Sequence, residues 1–416
     1  MQLKTILNRV EKHKSFVYGK VRFGRKAGRL ALSVSLRPRR GSCPVCSGCG
    51  RRGPQYDRLA PRRFEFVPLW GLAVFFVYRM RRVECPRCGV KVERVPWGDG
   101  RCHLTKTYRW FLAGWAKRLS WQEVATVFHT SWQSVFRSVR HAVYWGIVHR
   151  DWGTINAIGI DEIAWRKGHK YLTLVYQIDE GLKRLLWIGL DRREETLHKF
   201  FDWLGAEKAD QIRFVCSDMW PAYLKVIGLR AAKAVQILDR FHIASMINKA
   251  IDRIRAEEVR ELRKNGRKAV LANSRWLFLK RSENLSETQH EKLSELLRIN
   301  LRVVRAYLLK EGFQRFWSYV SAQWAGKFLD SWCTTVMRSR IEPLKRTAKT
   351  LRKHRHLMLN WFRAHGLSAG AVEGLNNKAK VTMRKSYGFR SFRITELALY
   401  HSLGALPQPD FTHRFW

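Results

Sequence analysis

Acidic residues are scarce in this chain. Its 416 residues include 34 Asp and Glu against 79 Lys and Arg, which gives a formal net charge of +45. Such an excess excludes a charge-balanced surface and indicates a polyanionic partner, most simply nucleic acid. Hydrophobic residues make up 46% of the sequence. The positive charge therefore belongs to folded domains and not to a disordered basic tail.

Long apolar runs are also missing. The most apolar stretch, residues 67–78, is well short of a membrane span and contains Gly71. The N-terminal residues are charged and lack the apolar run of a signal peptide. Internal repeats and low-complexity segments are absent as well. We therefore expect a cytoplasmic, nucleoid-associated protein of two to three domains, with no membrane partner.

Cysteines are few, and six of the eight lie within residues 43–102. Their spacing is unlike that of a secreted disulfide framework and typical of metal binding in a reducing compartment. Residues 43–49, CPVCSGC, contain two overlapping C-x₂-C pairs, and residues 85–88 contain another. Two such pairs separated by hairpin-like sequence predict a zinc ribbon, in which four thiolates hold Zn²⁺.

The zinc ligand set is the open question in this ribbon. A glycine follows both Cys49 and Cys88, as the tight turn of a zinc knuckle requires. This favours one set of four ligands: Cys46, Cys49, Cys85 and Cys88. Replacement of Cys46 or Cys49 by Cys43 stays open, and Cys102 with His103 is a less natural substitute.

A helical segment follows at residues 105–146. Ser120 and Glu123 have the spacing of a capping box at the start of a short helix. A three-residue turn leads to a longer helix from Trp132, with polar and basic positions near its start. This order is typical of a helix-turn-helix, although an ordinary helical hairpin is the alternative. The basic composition favours DNA binding by the second helix, through Gln133, Ser134, Arg137 and Arg140.

Residues 155–179 predict two paired strands, because β-branched and aromatic residues flank a short basic turn. Successive strand residues point to opposite faces, so Asp161 and Glu162 cannot both face one site. An acid late in a buried strand is costly unless it pairs or binds a cation. Up to residue 242 the order is three antiparallel strands, helix, strand, helix, strand. That is the order of a ribonuclease-H-like mixed sheet, and Asp218 ends its fourth strand.

A candidate catalytic triad combines Asp161 and Asp218 with Glu373. Residues 243–365 are almost wholly helical and basic, and Glu373 lies on a later helix that we expect to pack against the sheet. Carboxylates suit Mg²⁺ or Mn²⁺, and two such ions catalyse phosphodiester transfer. Asn377 and Lys380 share one helical face with Glu373, so we expect them to contact DNA. Glu162, on the other strand face, should be dispensable.

Four segments together match the motifs of a known family: GIDE at 159–162, CSDMWPAYLKVI at 216–227, LDRFHI at 238–243 and VEGLNNKAKVTMRKSYGFR at 372–390. In these segments the sequence resembles the DDE transposases of bacterial insertion sequences, specifically the ISL-three group. The resemblance implies that Asp161, Asp218 and Glu373 are the metal-binding catalytic acids. It also matches Asp239 and His242 to the D-x-x-H element of transposases with a helical insertion. His242 would then lie near the active site, and the alternative is a structural histidine at a helix start.

The predicted fold is a multidomain α/β protein with a ribonuclease-H-like sheet interrupted by an all-helical insertion. Its parts are a zinc-ribbon segment (1–100), a helix-turn-helix (101–150), the catalytic domain (151–243 and 366–404), the helical insertion (244–365) and a tail (405–416). The predicted function is transposition: binding of terminal inverted repeats, then metal-dependent cleavage and strand transfer. Two DNA ends must be held together, which implies a homodimer or larger assembly. The rivals are a non-catalytic DNA-binding regulator and a nuclease without strand transfer.

Overall fold

The computed structural model describes residues 2–166, 168, 170–266, 271–364, 370–386 and 388–411. The ends of the predicted insertion and tail, and the start of the second catalytic segment, thus lie partly outside the described residues. The chain divides into two compact units. The first comprises Met1–Asp151 and Ala379–Trp416, and the second comprises Trp152–Lys378. Each unit contains one five-stranded mixed sheet together with helices.

The sheet of the first unit forms where β-branched and aromatic residues are dense. Its elements are α1 (Leu3–Val10), β1 (Phe16–Lys26), β2 (Arg29–Pro38), β3 (Gln55–Leu69), β4 (Leu72–Cys85) and β5 (Gly89–Val92). The strand order is β1-β2-β4-β3, and β5 also pairs with β4. Strands β2 and β4 are parallel, while the other pairs are antiparallel. Buried aromatic rings, among them Phe64, Phe76 and Trp97, fill its core.

Three helices follow in the first unit: α2 (Lys106–Trp115), α3 (Trp121–Val127) and α4 (Trp132–Val148). The predicted capping box is present, since Ser120 Oγ accepts from the Glu123 N–H and Glu123 Oε2 accepts from the Ser120 N–H. His129 in the turn adopts a left-handed φ of 48°. Ser131 then caps α4 by accepting from the Ser134 N–H. A short helix, a tight turn and a longer helix therefore occur where the sequence predicted them.

The sheet of the second unit is built from β6 (Ala157–Arg166), β7 (Lys170–Asp179), β8 (Leu182–Leu190), α5 (Glu194–Leu204), α6 (Ala206–Gln211), β9 (Phe214–Ser217), α7 (Pro221–Arg230) and β10 (Val235–Leu238). The strand order is β10-β9-β6-β7-β8. Strands β6, β7 and β8 are antiparallel, whereas β9 and β10 run parallel to β6. Helices α5 and α7 cover the face that bears Ile158 and Ile160. The opposite face therefore bears Gly159 and Asp161.

A helical region follows β10 in the second unit. It comprises α8 (Arg240–Lys264), α9 (Arg275–Leu279), a 3₁₀ turn (Ser282–Asn284), α10 (Glu287–Leu297), α11 (Arg302–Gln314), a second 3₁₀ turn (Arg315–Ser318), α12 (Ala322–Arg338), α13 (Glu342–Lys353) and α14 (Arg355–Arg363). These helices share one apolar core. Within it, the buried carboxylate of Glu258 accepts from the backbone N–H groups of Arg302 and Val303 and so caps α11.

Two helices complete the chain, α15 (Gly370–Arg384) and α16 (Phe392–Leu403). Helix α15 begins in the second unit and ends in the first, and α16 packs against α4 within the first unit. None of the described helices combines the length and the apolar composition needed to cross a membrane.

Candidate active site

Three aspartates lie side by side at the carboxyl ends of three parallel strands. In the β6–β9 pair Gly159 lies opposite Cys216, so two residues further Asp161 comes level with Asp218. In the β9–β10 pair Leu238 lies opposite Ser217, so the next residues, Asp239 and Asp218, are also level. Residues opposite one another on neighbouring strands share a face of the sheet. Asp161, Asp218 and Asp239 therefore form a row on one face at the edge where α/β sheets carry their functional groups.

Burial disfavours the ionised forms of the first two acids. It raises the pKa of Asp161 and of Asp218, and the neighbouring carboxylates raise both further. The backbone N–H groups of Glu162 and Trp220 oppose this by donating to Asp161 Oδ1 at 2.7 Å and to Asp218 Oδ1 at 3.0 Å. The ionised forms of crowded, half-buried carboxylates of this kind are stabilised when the carboxylates bind one cation together. The donor set is therefore suited to a hard divalent metal.

Asp239 differs from the other two aspartates because its carboxylate is paired with a histidine. It is buried, and it accepts from the Phe241 N–H at 2.8 Å and from His242 Nδ1 at 2.8 Å. The hydrogen bond to Asp239 raises the pKa of His242 to about 9. His242 is therefore a cation at neutral pH, and its charge acts on Asp161 and Asp218. The family resemblance predicted that the Asp239–His242 element lies near the active site, whereas the position of Asp239 level with Asp218 follows from strand register.

Helix α15 lies on the same face of the sheet. A Cβ at Gly159 would collide with Cγ2 of Val372, so this glycine permits the close approach of the helix. Asn376 is buried, and its Nδ2 donates to Asp161 Oδ2 at 2.5 Å. Its Oδ1 accepts from the hydroxyl of the buried Tyr176 at 2.7 Å. Asn376 therefore links the helix, the neighbouring strand and the first acid of the row.

Glu373 lies on α15 one residue after Val372 and three residues before Asn376, but its side chain is exposed. Asn377 and Lys380, the other two residues of the predicted DNA-contacting face, are exposed as well. The compact metal-ligating group of the described residues consists of cysteines, and it includes neither Glu373 nor the three aspartates. The structure thus brings Asp161 and Asp218 together with Asp239 and His242, and leaves Glu373 on the solvent side of the helix that packs beside them.

Glu162 points to the other face of β6, as the strand pattern predicts. It lies opposite Thr173 in the register, and its Oε2 is 3.6 Å from Nη1 of Arg192. Burial raises the pKa of Glu162, and Asp218 raises it further. Arg192 also lies over the ring of Trp220, two residues after Asp218. Glu162 is therefore a half-buried, ion-paired residue behind the row of aspartates.

In the first unit, four thiols form the compact metal-ligating group of the described residues. The sulfur atoms of Cys46, Cys49, Cys85 and Cys88 all lie within 4.8 Å of one another. The Gly48 N–H donates to Cys46 Sγ at 3.4 Å, and a Cβ at Gly48 would stand 3.1 Å from Cys88 Sγ. Cys43 is exposed and lies outside this cluster. Four clustered sulfur atoms are the donor set of a structural zinc site, consistent with a zinc ribbon.

Two of the four predicted DNA-contacting positions of α4, Arg137 and Arg140, line a basic cleft in the first unit. Gln133 and Arg137 are exposed, and Arg140 is half-buried against the ring of Phe136. Ser134 is half-buried, and its hydroxyl hydrogen-bonds to that of Ser131. Arg137 and Arg140 line a cleft of about 800 Å³ together with Arg101, Arg109, His141 and His149. Its lining also includes one acid, Asp99, which is ion-paired with Arg109, so the cleft keeps an excess of basic groups. A cleft of this charge is suited to phosphate groups.

Comparison with known proteins identifies the class. Residues 158–399, which contain the whole row of aspartates and α15, match a family described as transposase. The chain is 31% identical over 362 residues to the transposase for insertion sequence element IS1001 of Bordetella parapertussis, covering 86% of this chain and 88% of that one. It is 30% identical over 392 residues to the transposase for insertion sequence element IS1557 of Mycobacterium tuberculosis, covering 86% and 85%. The chain is therefore a member of the transposases. Within them it belongs to the ISL-three family of DDE transposases, as its motifs predicted.

Proposed function

We propose that this transposase binds the terminal inverted repeats of its insertion sequence, cleaves the DNA at those ends and joins them to target DNA. The observation that carries the proposal is the alignment of Asp161 with Asp218 on neighbouring parallel strands, beside the helix that bears Glu373. The strand order β10-β9-β6-β7-β8 supports a ribonuclease-H-like catalytic domain. Its two segments, 151–243 and 366–404, would enclose the helical insertion at 244–365.

In the proposed reaction Asp161, Asp218 and Glu373 would hold Mg²⁺ or Mn²⁺. Such ions activate a water or a 3′-hydroxyl and stabilise the leaving oxygen during phosphodiester transfer. The protein contributes more than these ligands. The His242 cation lies where it would attract the scissile phosphate, and Asn376 keeps one oxygen of Asp161 in a fixed orientation. Both contributions depend on hydrogen bonds within the protein and are therefore in place before DNA binds.

The first unit would supply DNA recognition. In this proposal Zn²⁺ bound by the four clustered cysteines stabilises the ribbon. Helix α4 acts as the recognition helix of a helix-turn-helix, with Gln133, Ser134, Arg137 and Arg140 toward the DNA. Asn377 and Lys380, exposed on α15, would contact DNA as well. Because two ends are joined in one reaction, a homodimer or larger assembly is the expected active form.

The test is an excision and strand-transfer assay on a plasmid that carries the element with its flanking DNA, in Mg²⁺. Wild type should yield cleaved and joined products, whereas Asp161→Asn, Asp218→Asn and Glu373→Gln should yield neither. The matched control is Glu180→Gln, because Glu180 is an exposed acid in the turn between β7 and β8. Glu162→Gln tests whether the acid behind the row is dispensable.

Each possible result separates the proposed transposase from a rival. If wild type binds the ends but yields no cleaved DNA under any divalent metal, the chain is a DNA-binding regulator and the proposal is wrong. Cleavage without joined product would indicate a nuclease. Activity retained in Glu373→Gln, with loss in both aspartate variants, would show that the third metal ligand is a different residue.

A further inference from the structure

A sharp turn at the end of β8 positions an arginine behind the row of aspartates. Asp191, which follows the strand, adopts a left-handed φ of 77°, a conformation that residues other than glycine rarely adopt. Its backbone N–H donates to the carbonyl oxygen of Tyr171 at 2.9 Å, and its own carbonyl oxygen accepts from the hydroxyl of Thr173. Its carboxylate accepts from the hydroxyl of Thr196. Strain that is held in place by so many bonds indicates a functional position, and the residue that this turn directs is Arg192.

Arg192 is held over two aromatic rings. Its guanidinium lies 4.6 Å from the ring centroid of Tyr171 and 4.9 Å from that of Trp220, whose N–H donates to Asp218. Stacking on aromatic faces fixes the plane of a guanidinium, so less rotamer freedom is lost when its N–H groups form hydrogen bonds. The side chain of Arg192 is 41% exposed, so a ligand can reach it from solvent. Arg192 is therefore an accessible cation with a preset orientation.

Among the described residues, no oxygen accepts a hydrogen bond from the guanidinium of Arg192. Its acidic neighbour is Glu162, but Oε2 of Glu162 is 3.6 Å from Nη1, which is too far for a hydrogen bond. By contrast, the guanidinium of Arg230 on α7 donates to Asp202 at 2.6 Å. A guanidinium carries five N–H donors in a planar fork that matches two oxygens of a phosphate. The donors of Arg192 are therefore suited to a phosphate ligand.

Arg192 and His242 lie on opposite sides of Asp218. The strand order places β9, which leads to Asp218, between β10 and β6. His242 bonds to Asp239 after β10, whereas Arg192 lies beside Glu162 on β6. The charges of both cations act on Asp218. A DNA strand with one phosphate at Asp218 would therefore meet a cation on each side of that phosphate.

We propose that Arg192 binds a phosphate next to the scissile one on the cleaved strand of the DNA end, on the side of Asp218 away from His242. This inference rests on the proposed function, because it assigns a further contact in the same DNA complex. Two phosphates bound on either side of Asp218 fix the register of the strand, so the scissile phosphate is aligned before cleavage. Arg192 is thus a substrate-binding residue, and Glu162 compensates its charge while DNA is absent.

The test is a thermodynamic cycle between the protein and the DNA. Duplexes carry the element's end with flanking DNA, and a series of them has one uncharged methylphosphonate linkage moved along the cleaved strand across the junction. Dissociation constants are measured by fluorescence anisotropy with Ca²⁺ in place of Mg²⁺. Arg192→Gln should weaken binding of the unmodified end about tenfold, the scale of one charge-assisted contact. At one position beside the scissile phosphate, the methylphosphonate should weaken wild type by the same factor and Arg192→Gln no further, because both changes remove one contact.

Two variants separate a lost contact from a damaged fold. Arg192→Lys keeps the charge but not the planar fork, so it should bind with intermediate affinity and keep the dependence of binding on salt. Arg192→Gln should instead lower the slope of log Kd against log salt concentration by about one, as loss of a single phosphate contact requires. The matched control is Arg193→Gln, since Arg193 is the next residue of the same turn and its side chain is 78% exposed. Its losses should add to those of the methylphosphonate at every position.

Each other result overturns the assignment of Arg192. Additive losses with Arg192→Gln at every position, or a single non-additive position shared with Arg193→Gln, would show that Arg192 does not bind a particular phosphate of the end. Coupling that appears only when the methylphosphonate is placed in target DNA during strand transfer would assign Arg192 to the target and not to the end. In these cases wild type still cleaves and joins the ends in Mg²⁺, so the proposed function stands. If wild type neither cleaves the ends nor prefers them to scrambled duplex, both proposals fail.

Discussion

Replacing Asp218 by asparagine should stabilise the protein while removing its activity. Asp218 is half-buried, and the hydrogen bond to its side chain comes from the Trp220 N–H at 3.0 Å. Asparagine keeps an oxygen for that N–H and removes the charge. Burial and the neighbouring Asp239 raise the pKa of Asp218, so its ionised form is unfavourable in the folded protein. Asp218→Asn should therefore increase the free energy of unfolding when no divalent metal is added.

The size of this gain follows from the register of the strands. Level residues on neighbouring strands are about 4.8 Å apart. Two carboxylate charges at that separation repel by about 3 kcal/mol at an effective dielectric constant of about 20. The His242 cation offsets part of this, so we expect a gain of about 1–2 kcal/mol at neutral pH. Because the folded pKa of Asp218 is raised, the penalty is absent below the ordinary carboxyl pKa and appears as pH rises through the folded value. The gain should therefore vanish as pH falls toward about 4.

Urea denaturation with and without Mg²⁺ measures both parts of this argument. Wild type should gain about 1.4 kcal/mol when Mg²⁺ is tenfold above its dissociation constant, and Asp218→Asn should gain much less. Asp239→Asn is the matched control, and it should lower stability because it weakens the hydrogen bond to the His242 cation. The reasoning is refuted if Asp218→Asn is less stable than wild type without Mg²⁺, or if Mg²⁺ stabilises it as strongly as wild type.

Three further predictions concern single groups. The pKa of His242 is raised to about 9 in the folded protein, so the charged form of this side chain stabilises the fold. This stabilisation is fully present below the ordinary histidine pKa of about 6.5 and is lost as pH rises to about 9. The alkaline limb of the strand-transfer rate should follow that titration, and Asp239→Asn should move the limb to lower pH. Cys46→Ser should lose the bound zinc and lower the melting temperature of the purified chain. Cys43→Ser should retain one zinc per chain, as measured by elemental analysis, and loss of zinc in both variants would contradict the ligand set. Asn376→Ala should lower kcat or the affinity for Mg²⁺ about 10- to 100-fold while leaving the KM for DNA nearly unchanged, and an equal rise in KM would contradict a positioning role.

The sequence was sufficient for features that depend on local pattern. The strand pair that carries Asp161, the capping box at Ser120 and the cysteine pairs all have periodic or spacing signals, and each occurs at the predicted position. The observed strand bounds differ from the predicted ones by a residue or two, because a strand ends where its partner strand stops pairing with it. Helix α6 was not predicted, since its six residues are too few to show a period.

The features that the sequence did not predict depend on how segments that are far apart in the chain align with one another. Asp239 comes level with Asp218 because of how β9 and β10 pair, and no local pattern encodes that pairing. Asn376 was passed over because the helical face through Glu373 and Asn377 looked functional, whereas Asn376 is the buried residue that bonds to Asp161. The signal for Asn376 in the sequence was its place as a polar residue between apolar positions of an otherwise amphipathic helix. Its partner Tyr176 is 200 positions away.

The hydrogen bond between Asn376 and Asp161 also has a consequence for synthesis of the chain. The two residues are 215 positions apart. At about 5–20 residues per second, β6 leaves the ribosome roughly 10–40 s before the helix that covers it. During that interval Gly159 and Asp161 have no helix over them, while the intervening helices already have a core of their own. This sheet face is thus covered only after the whole helical region has been synthesised, so a chain interrupted in that region carries Asp161 without Asn376, the residue that holds it.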